Sequence, residues 1–179
     1  FAVVACFAIF YLTTAFALGY GTTKLGYSRE TFLGVQLGAI GFMAVGIIVA
    51  GFWSDASSPR RVLMAGCVAT VLTGFLLAPM IGSGHIVLIW AFLALGLFMM
   101  GLVYGPLGAF LPGLFPARVR YTGASVAFNV GGILGGGLAP MIAQALADQG
   151  GLKPVGLYLS GAALVSFVAL LAVGKREPV

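Results

Sequence analysis

Six apolar runs, at about residues 2–22, 31–53, 62–82, 86–111, 121–146 and 155–174, set what this chain can become. Each is close to the about 20 residues that an α-helix needs to cross the hydrocarbon core of a bilayer. Inside lipid no water is present to satisfy backbone N–H and C=O groups, so each run must close its own hydrogen bonds as a helix. The joints run from Thr22 to Glu30, Ser54 to Arg61, Gly82 to His85, Pro112 to Arg120 and Ala147 to Pro154. They carry turn and polar chemistry and are too short for a soluble domain. The expected fold class is therefore an all-α membrane protein with six transmembrane helices over residues 1–179.

Charge agrees with that reading. Only 7% of the residues are charged and 61% are apolar, whereas soluble domains carry roughly 25% charged residues. The net charge of +5 does not describe a nucleic-acid surface, because the basic residues are scattered through the joints instead of clustered among aromatics. Placing the joints on alternate sides gathers Arg60, Arg61, Arg118, Arg120, Lys175 and Arg176 on one face and leaves Lys24, Arg29 and Lys153 on the other. The first face, with six of the nine Lys and Arg residues, is expected to be cytoplasmic, and an even number of spans puts both chain ends there. Phe1 begins within an apolar run without an initiator Met, which reads as a piece of a longer protein.

Chemistry-bearing residues are sparse. Cys6 and Cys67 lie inside apolar runs, where a thiol acts as a small hydrophobe, and suggest neither a disulfide nor a metal. Glu30, Asp55, Asp148 and Glu177 fall at span ends or beyond, and His85 falls in a joint. No nucleophile and base, and no set of metal ligands, converge at helical spacing, so an enzyme, a cofactor and a metal are not expected. An intramembrane proton relay would need Asp, Glu or His within a span.

The remaining candidates are uncharged. Tyr11 and Thr14 share a stripe of the first span; Gln36 lies in the second, Tyr104 in the fourth, and Ser125 and Asn129, four apart, on one face of the fifth. Their hydroxyls and amides can bond a substrate carboxylate or hydroxyl without carrying charge into lipid, or bond a neighbouring helix instead. The pairs Gly34 and Gly38, Gly101 and Gly105, and Gly132 and Gly136 mark faces of close helix approach. The cluster Gly131, Gly132, Gly135, Gly136 and Gly137 with Pro140 marks either a bend or a static packing face.

Two joints carry a family resemblance. The stretch Gly51-Phe52-Trp53-Ser54-Asp55-Ala56-Ser57-Ser58-Pro59-Arg60-Arg61 resembles the major facilitator loop motif of small residue, Asp and paired Arg, with Ala56, Ser58 and Pro59 where the pattern has a basic residue and a Gly. The stretch from Gly105-Pro106 through Pro112, Arg118, Arg120 and Ser125 to Asn129, Gly131, Gly132, Gly135 to Gly137 and Pro140 resembles the metabolite:proton symporter family, with Gly113 and Ala117 where Glu and Thr are expected. That resemblance implies the C-terminal six-helix half of a twelve-helix carrier, its substrate held near the midplane between two halves that rock to give alternating access. It implies a secondary active transporter in a bacterial inner membrane whose partners are the bilayer, an N-terminal six-helix half, protons, and a metabolite such as 2-oxoglutarate, citrate, shikimate, proline or betaine. It also implies that the first, second, fourth and fifth spans line the cavity, which singles out Tyr11, Gln36 and Asn129. Asp55, Arg60, Arg61, Arg118 and Arg120 would form a cytoplasmic gate, an Asp at a helix end meeting a helix N-terminus or an Arg. A sugar or drug carrier of another major facilitator branch, a non-transporting sensor and a channel are the alternatives.

Overall fold

A computed structural model describes residues 1–173; Lys175, Arg176 and Glu177, assigned above to the cytoplasmic face and to a span end, lie outside the described residues. Among the described residues, six apolar helices long enough to cross a membrane span Val4–Thr23, Arg29–Ala56, Pro59–Ile81, Ile86–Gly113, Ala117–Gly150 and Leu152–Ala172. Local chemistry sets several of their ends. The Ser28 hydroxyl accepts the Thr31 N–H to open the second span, and Ser58 does the same for the Arg61 N–H at the third, where Pro59 takes the first helical position. Between the fifth and sixth spans Gly151 turns the chain at φ 71°, a conformation that costs glycine little.

Neighbouring helices meet where a side chain is missing. Gly74 of the third span and Gly156 of the sixth face each other so closely that a Cβ on either would strike the other's carbonyl. Gly46 of the second and Gly101 of the fourth do the same against the carbonyls of Phe98 and Met43. In lipid, van der Waals contact and interhelical hydrogen bonds replace the hydrophobic drive, so such crossings are the adhesive of the bundle. The third and sixth spans are also tied by the Ser160 hydroxyl donating to the Val71 carbonyl at 2.8 Å. The sixth meets the first through Ser166, whose hydroxyl donates to the Phe1 carbonyl and accepts the Ala5 N–H, both at 2.9 Å. The core between the spans is built from Ile9, Leu12, Leu63, Leu77, Phe92, Leu93, Leu97 and Leu159.

Coverage is uneven. The first and fourth spans are each 56% buried across their apolar stretch, against 17% for the second and 28% for the fifth. The second and fifth therefore present long uncovered faces, with Leu37, Ile48 and Phe52 on one and Ile133 and Met141 on the other.

Three spans are not continuous α-helices. The first widens into a π-turn at Leu12–Phe16 and the fifth into another at Ile133–Gly137. The fourth breaks between Ile86–Tyr104 and Leu107–Gly113, where Pro106 has no N–H to donate into the helix. The glycine cluster of the fifth span thus forms a widened turn and a packing face at once: a Cβ on Gly135 would meet the Val4 backbone, and one on Gly136 would meet the Tyr11 ring at 2.5 Å.

Candidate functional site

The interrupted helices hold most of the uncharged polar residues singled out from the sequence. At the π-turn of the first span, side chains serve the backbone carbonyls. The Thr13 hydroxyl donates to Ile9 at 2.7 Å and to Phe10 at 3.1 Å, and the Thr14 hydroxyl donates to Phe10 at 2.6 Å. From the second span the Gln36 amide donates to the Thr13 carbonyl at 3.1 Å and to the Thr14 carbonyl at 2.8 Å. Gln36 is thus a helix-to-helix bond, with its amide hydrogens engaged and its amide oxygen left to accept. Thr13 is fully buried, and a Cβ on Gly96 of the fourth span would touch its methyl group, so the turn is gripped from two sides.

Tyr11, half-buried one turn earlier, packs on Gly136 and meets Phe10 edge to face at 5.4 Å. Tyr104, 40% exposed, ends the upper segment of the fourth span just before the Pro106 break. Its ring faces Phe128 at 6.5 Å, and Phe128 in turn meets Phe7 of the first span at 5.1 Å. A cavity of about 320 Å³ opens here between the second, fourth and fifth spans, lined by Ile47, Tyr104, Leu107, Leu111, Ala124 and Phe128 among others. The volume matches a small-molecule site, and the Tyr104 hydroxyl is the side-chain polar group in an otherwise apolar wall.

Ser125 and Asn129 lie on the adjacent, exposed stripe of the fifth span. The Asn129 amide donates to the Ser125 carbonyl at 2.8 Å, which fixes its orientation and leaves its oxygen outward. The structure therefore joins Gln36 to Thr14 and Tyr104 to Phe128, and places Ser125 and Asn129 beside that cavity instead of in its lining. Phe128 was not singled out from the sequence. The signal for it was Ala124 and Phe128 at a spacing of four, a second stripe next to Ser125 and Asn129.

At the end that bears Arg60, the gate residues are dispersed. The Arg60 guanidinium donates two hydrogen bonds to the Leu170 carbonyl, at 3.1 Å from Nε and 2.9 Å from Nη2, binding the start of the third span to the end of the sixth. Asp55 is exposed and makes no ion pair among the described residues. Arg61 and Arg118 are exposed, and Arg120 donates from Nε to the Phe115 carbonyl at 3.4 Å. At the opposite end Lys24 and Asp148 pair at 3.2 Å, joining the first and fifth spans, with the Gln144 amide also donating to the carboxylate. There the Tyr27 hydroxyl donates to the Gly84 carbonyl at 2.6 Å.

Comparison with known proteins identifies the family. Over 176 residues the chain is 40% identical to the inner membrane metabolite transport protein YhjE of Escherichia coli (strain K12), covering 96% of this chain and 40% of that protein. It is 31% identical to the shikimate transporter of the same organism, covering 93% of this chain and 39% of the relative. It is 29% identical to the citrate-proton symporter of Klebsiella pneumoniae, covering 95% and 39%. The chain thus spans about two-fifths of the length of the curated relatives it matches. No solved structure gives a significant match. The sequence model for the Major Facilitator Superfamily, a family of carriers and not of enzymes, matches residues 1–179, and the chain belongs to that family.

Proposed function

We propose that this chain is the C-terminal half of a secondary active carrier that moves a small polar or organic-acid metabolite by alternating access. The observation that carries the reading is the coincidence of uncharged polar side chains with broken helices. Tyr11, Tyr104 and Asn129 lie on the first, fourth and fifth spans, and each of those spans is interrupted near them by a π-turn or a proline. Discontinuous helices with polar groups at mid-depth are how carriers hold a substrate and change shape around it. Tyr11, Thr14, Tyr104, Ser125 and Asn129 are the proposed substrate-facing groups, and Gln36 supports them from behind. The uncovered faces of the second and fifth spans receive the other six-helix half.

Proton coupling is part of the proposal, supported by the name of the citrate-proton symporter. The titrating group belongs to the other half, because the acids of this chain lie at or beyond the span ends. Asp55 is the proposed gate residue, pairing across to the other half when the cytoplasmic side closes. Arg61, Arg118 and Arg120 are the proposed gate cations of the neighbouring joints, and Arg60 braces the third span against the sixth. The membrane is proposed to be a bacterial inner membrane with both ends of this half cytoplasmic.

Uptake and counterflow of radiolabelled citrate and shikimate by the full-length protein in vesicles with an imposed pH gradient tests the reading. Saturable, gradient-driven uptake is the expected result. Ligand binding without counterflow would replace the carrier by a sensor, and flux that does not saturate would replace it by a channel.

A further inference from the structure

The π-turn of the first span is unusual in what holds it. A π-turn accommodates one more residue than an α-turn, so helix beyond it is rotated by about 100° relative to helix before it. Here the segment before the turn carries Tyr11 against Gly136, and the segment after it leads to Lys24 against Asp148. Two bonds from the Gln36 amide reach the Thr13 and Thr14 carbonyls inside the turn. The threonine hydroxyls are already engaged with Ile9 and Phe10. Gln36 is thus the part of this network that comes from another helix.

We propose that Gln36 is a positioning residue: its amide pins the π-turn at Leu12–Phe16 and so sets the rotational register between Tyr11 on one side and Lys24 on the other. Without it, the turn is free to migrate or to relax to α-helical winding. The outer segment then rotates away from the fifth span while the segment before the turn stays seated. The importance of this for transport rests on the carrier reading above, but the geometry is testable without it.

The test uses the full-length protein in vesicles with two cysteine pairs, the native Cys6 and Cys67 being buried. The pair Lys24→Cys with Asp148→Cys, bridged by a short bifunctional thiol reagent, reports the register beyond the turn. The pair Phe7→Cys with Phe128→Cys, bridged by the same reagent, reports the seat before it, since the two native rings meet at 5.1 Å. Gln36→Leu is expected to lower the first cross-link at least fivefold and to leave the second within twofold. An unchanged 24–148 cross-link overturns the proposal.

Gln36→Glu gives a second, pH-dependent readout. Its carboxylic acid can donate to a carbonyl only while protonated, so the 24–148 cross-link, read as a ratio to the 7–128 cross-link at each pH to cancel the pH dependence of the thiol chemistry, is expected to fall as that acid ionises. A ratio that stays flat with pH overturns the proposal even if Gln36→Leu fails to fold, which loss of the 7–128 cross-link would reveal. Absence of citrate and shikimate counterflow in the unsubstituted protein counts against the carrier reading alone and leaves the cross-link outcome standing.

Discussion

Arg60 donates both Nε and Nη2 to one carbonyl, that of Leu170 near the end of the sixth span. A cation at the C-terminal end of a helix satisfies a carbonyl and opposes the negative end of the helix dipole. Together with the Gly74 and Gly156 crossing and the bond from Ser160 to Val71, it makes the third and sixth spans one rigid plank. Arg60→Met retains most of the side-chain packing and removes both bonds. The expected loss is about 1–2 kcal/mol, since charged hydrogen bonds are strong but this one is only partly buried. A lowered melting temperature in detergent, with Arg61→Met unchanged, checks it.

Gly156 tolerates no side chain without pushing the helices apart, because its missing Cβ would lie on the Gly74 carbonyl. Gly156→Val is expected to cost about 3 kcal/mol or more by overpacking. Gly161→Val, on the same helix with open space around it, is expected to cost little. Yield of monodisperse protein on size-exclusion chromatography separates the two.

Tyr104 and Phe128 divide the wall of the 320 Å³ cavity into a hydroxyl and a ring. Tyr104→Phe keeps the shape and removes the hydroxyl proposed to bond the substrate, so KM for a carboxylate substrate is expected to rise about tenfold, the equivalent of about 1.4 kcal/mol. Phe128→Ala enlarges the cavity and is expected to weaken discrimination between substrates of different size. Equal KM values for Tyr104→Phe and the unsubstituted protein would remove Tyr104 from the site.

Sidedness follows from the joints. Cysteines placed at Arg61 and Arg118 are expected to react with a membrane-impermeant maleimide from the cytoplasm, and those at Lys24 and Lys153 from the opposite side. Labelling of positions 61 and 118 from opposite sides would break the six-span topology.

The fold was legible because each span announces itself locally. An apolar run of the right length must be a helix in lipid whatever surrounds it, although the second and third helices start at Arg29 and Pro59, ahead of their apolar runs, because the Ser28 and Ser58 hydroxyls cap them there. The packing glycines were only partly legible. Gly101 and Gly105 do pack against the second span, but Gly34, read as half of a pair, has open space around it. Gly46, Gly74 and Gly156 were passed over because their partners four residues on are Ala50, Ala78 and Ser160 instead of glycine, although any small residue permits the approach.

The sequence by itself determined the number of crossings and the position of its acids at or beyond the span ends, because those follow from the length and hydropathy of each segment alone. Tertiary structure decided where the amide of Gln36 is spent, that Arg60 braces a helix end while Asp55 stays unpaired among the described residues, and that Phe128 joins Tyr104 at the cavity. Those outcomes depend on which helix lies beside which and at what rotation. A π-turn shifts that rotation by about 100°, beyond the reach of any pattern confined to one segment.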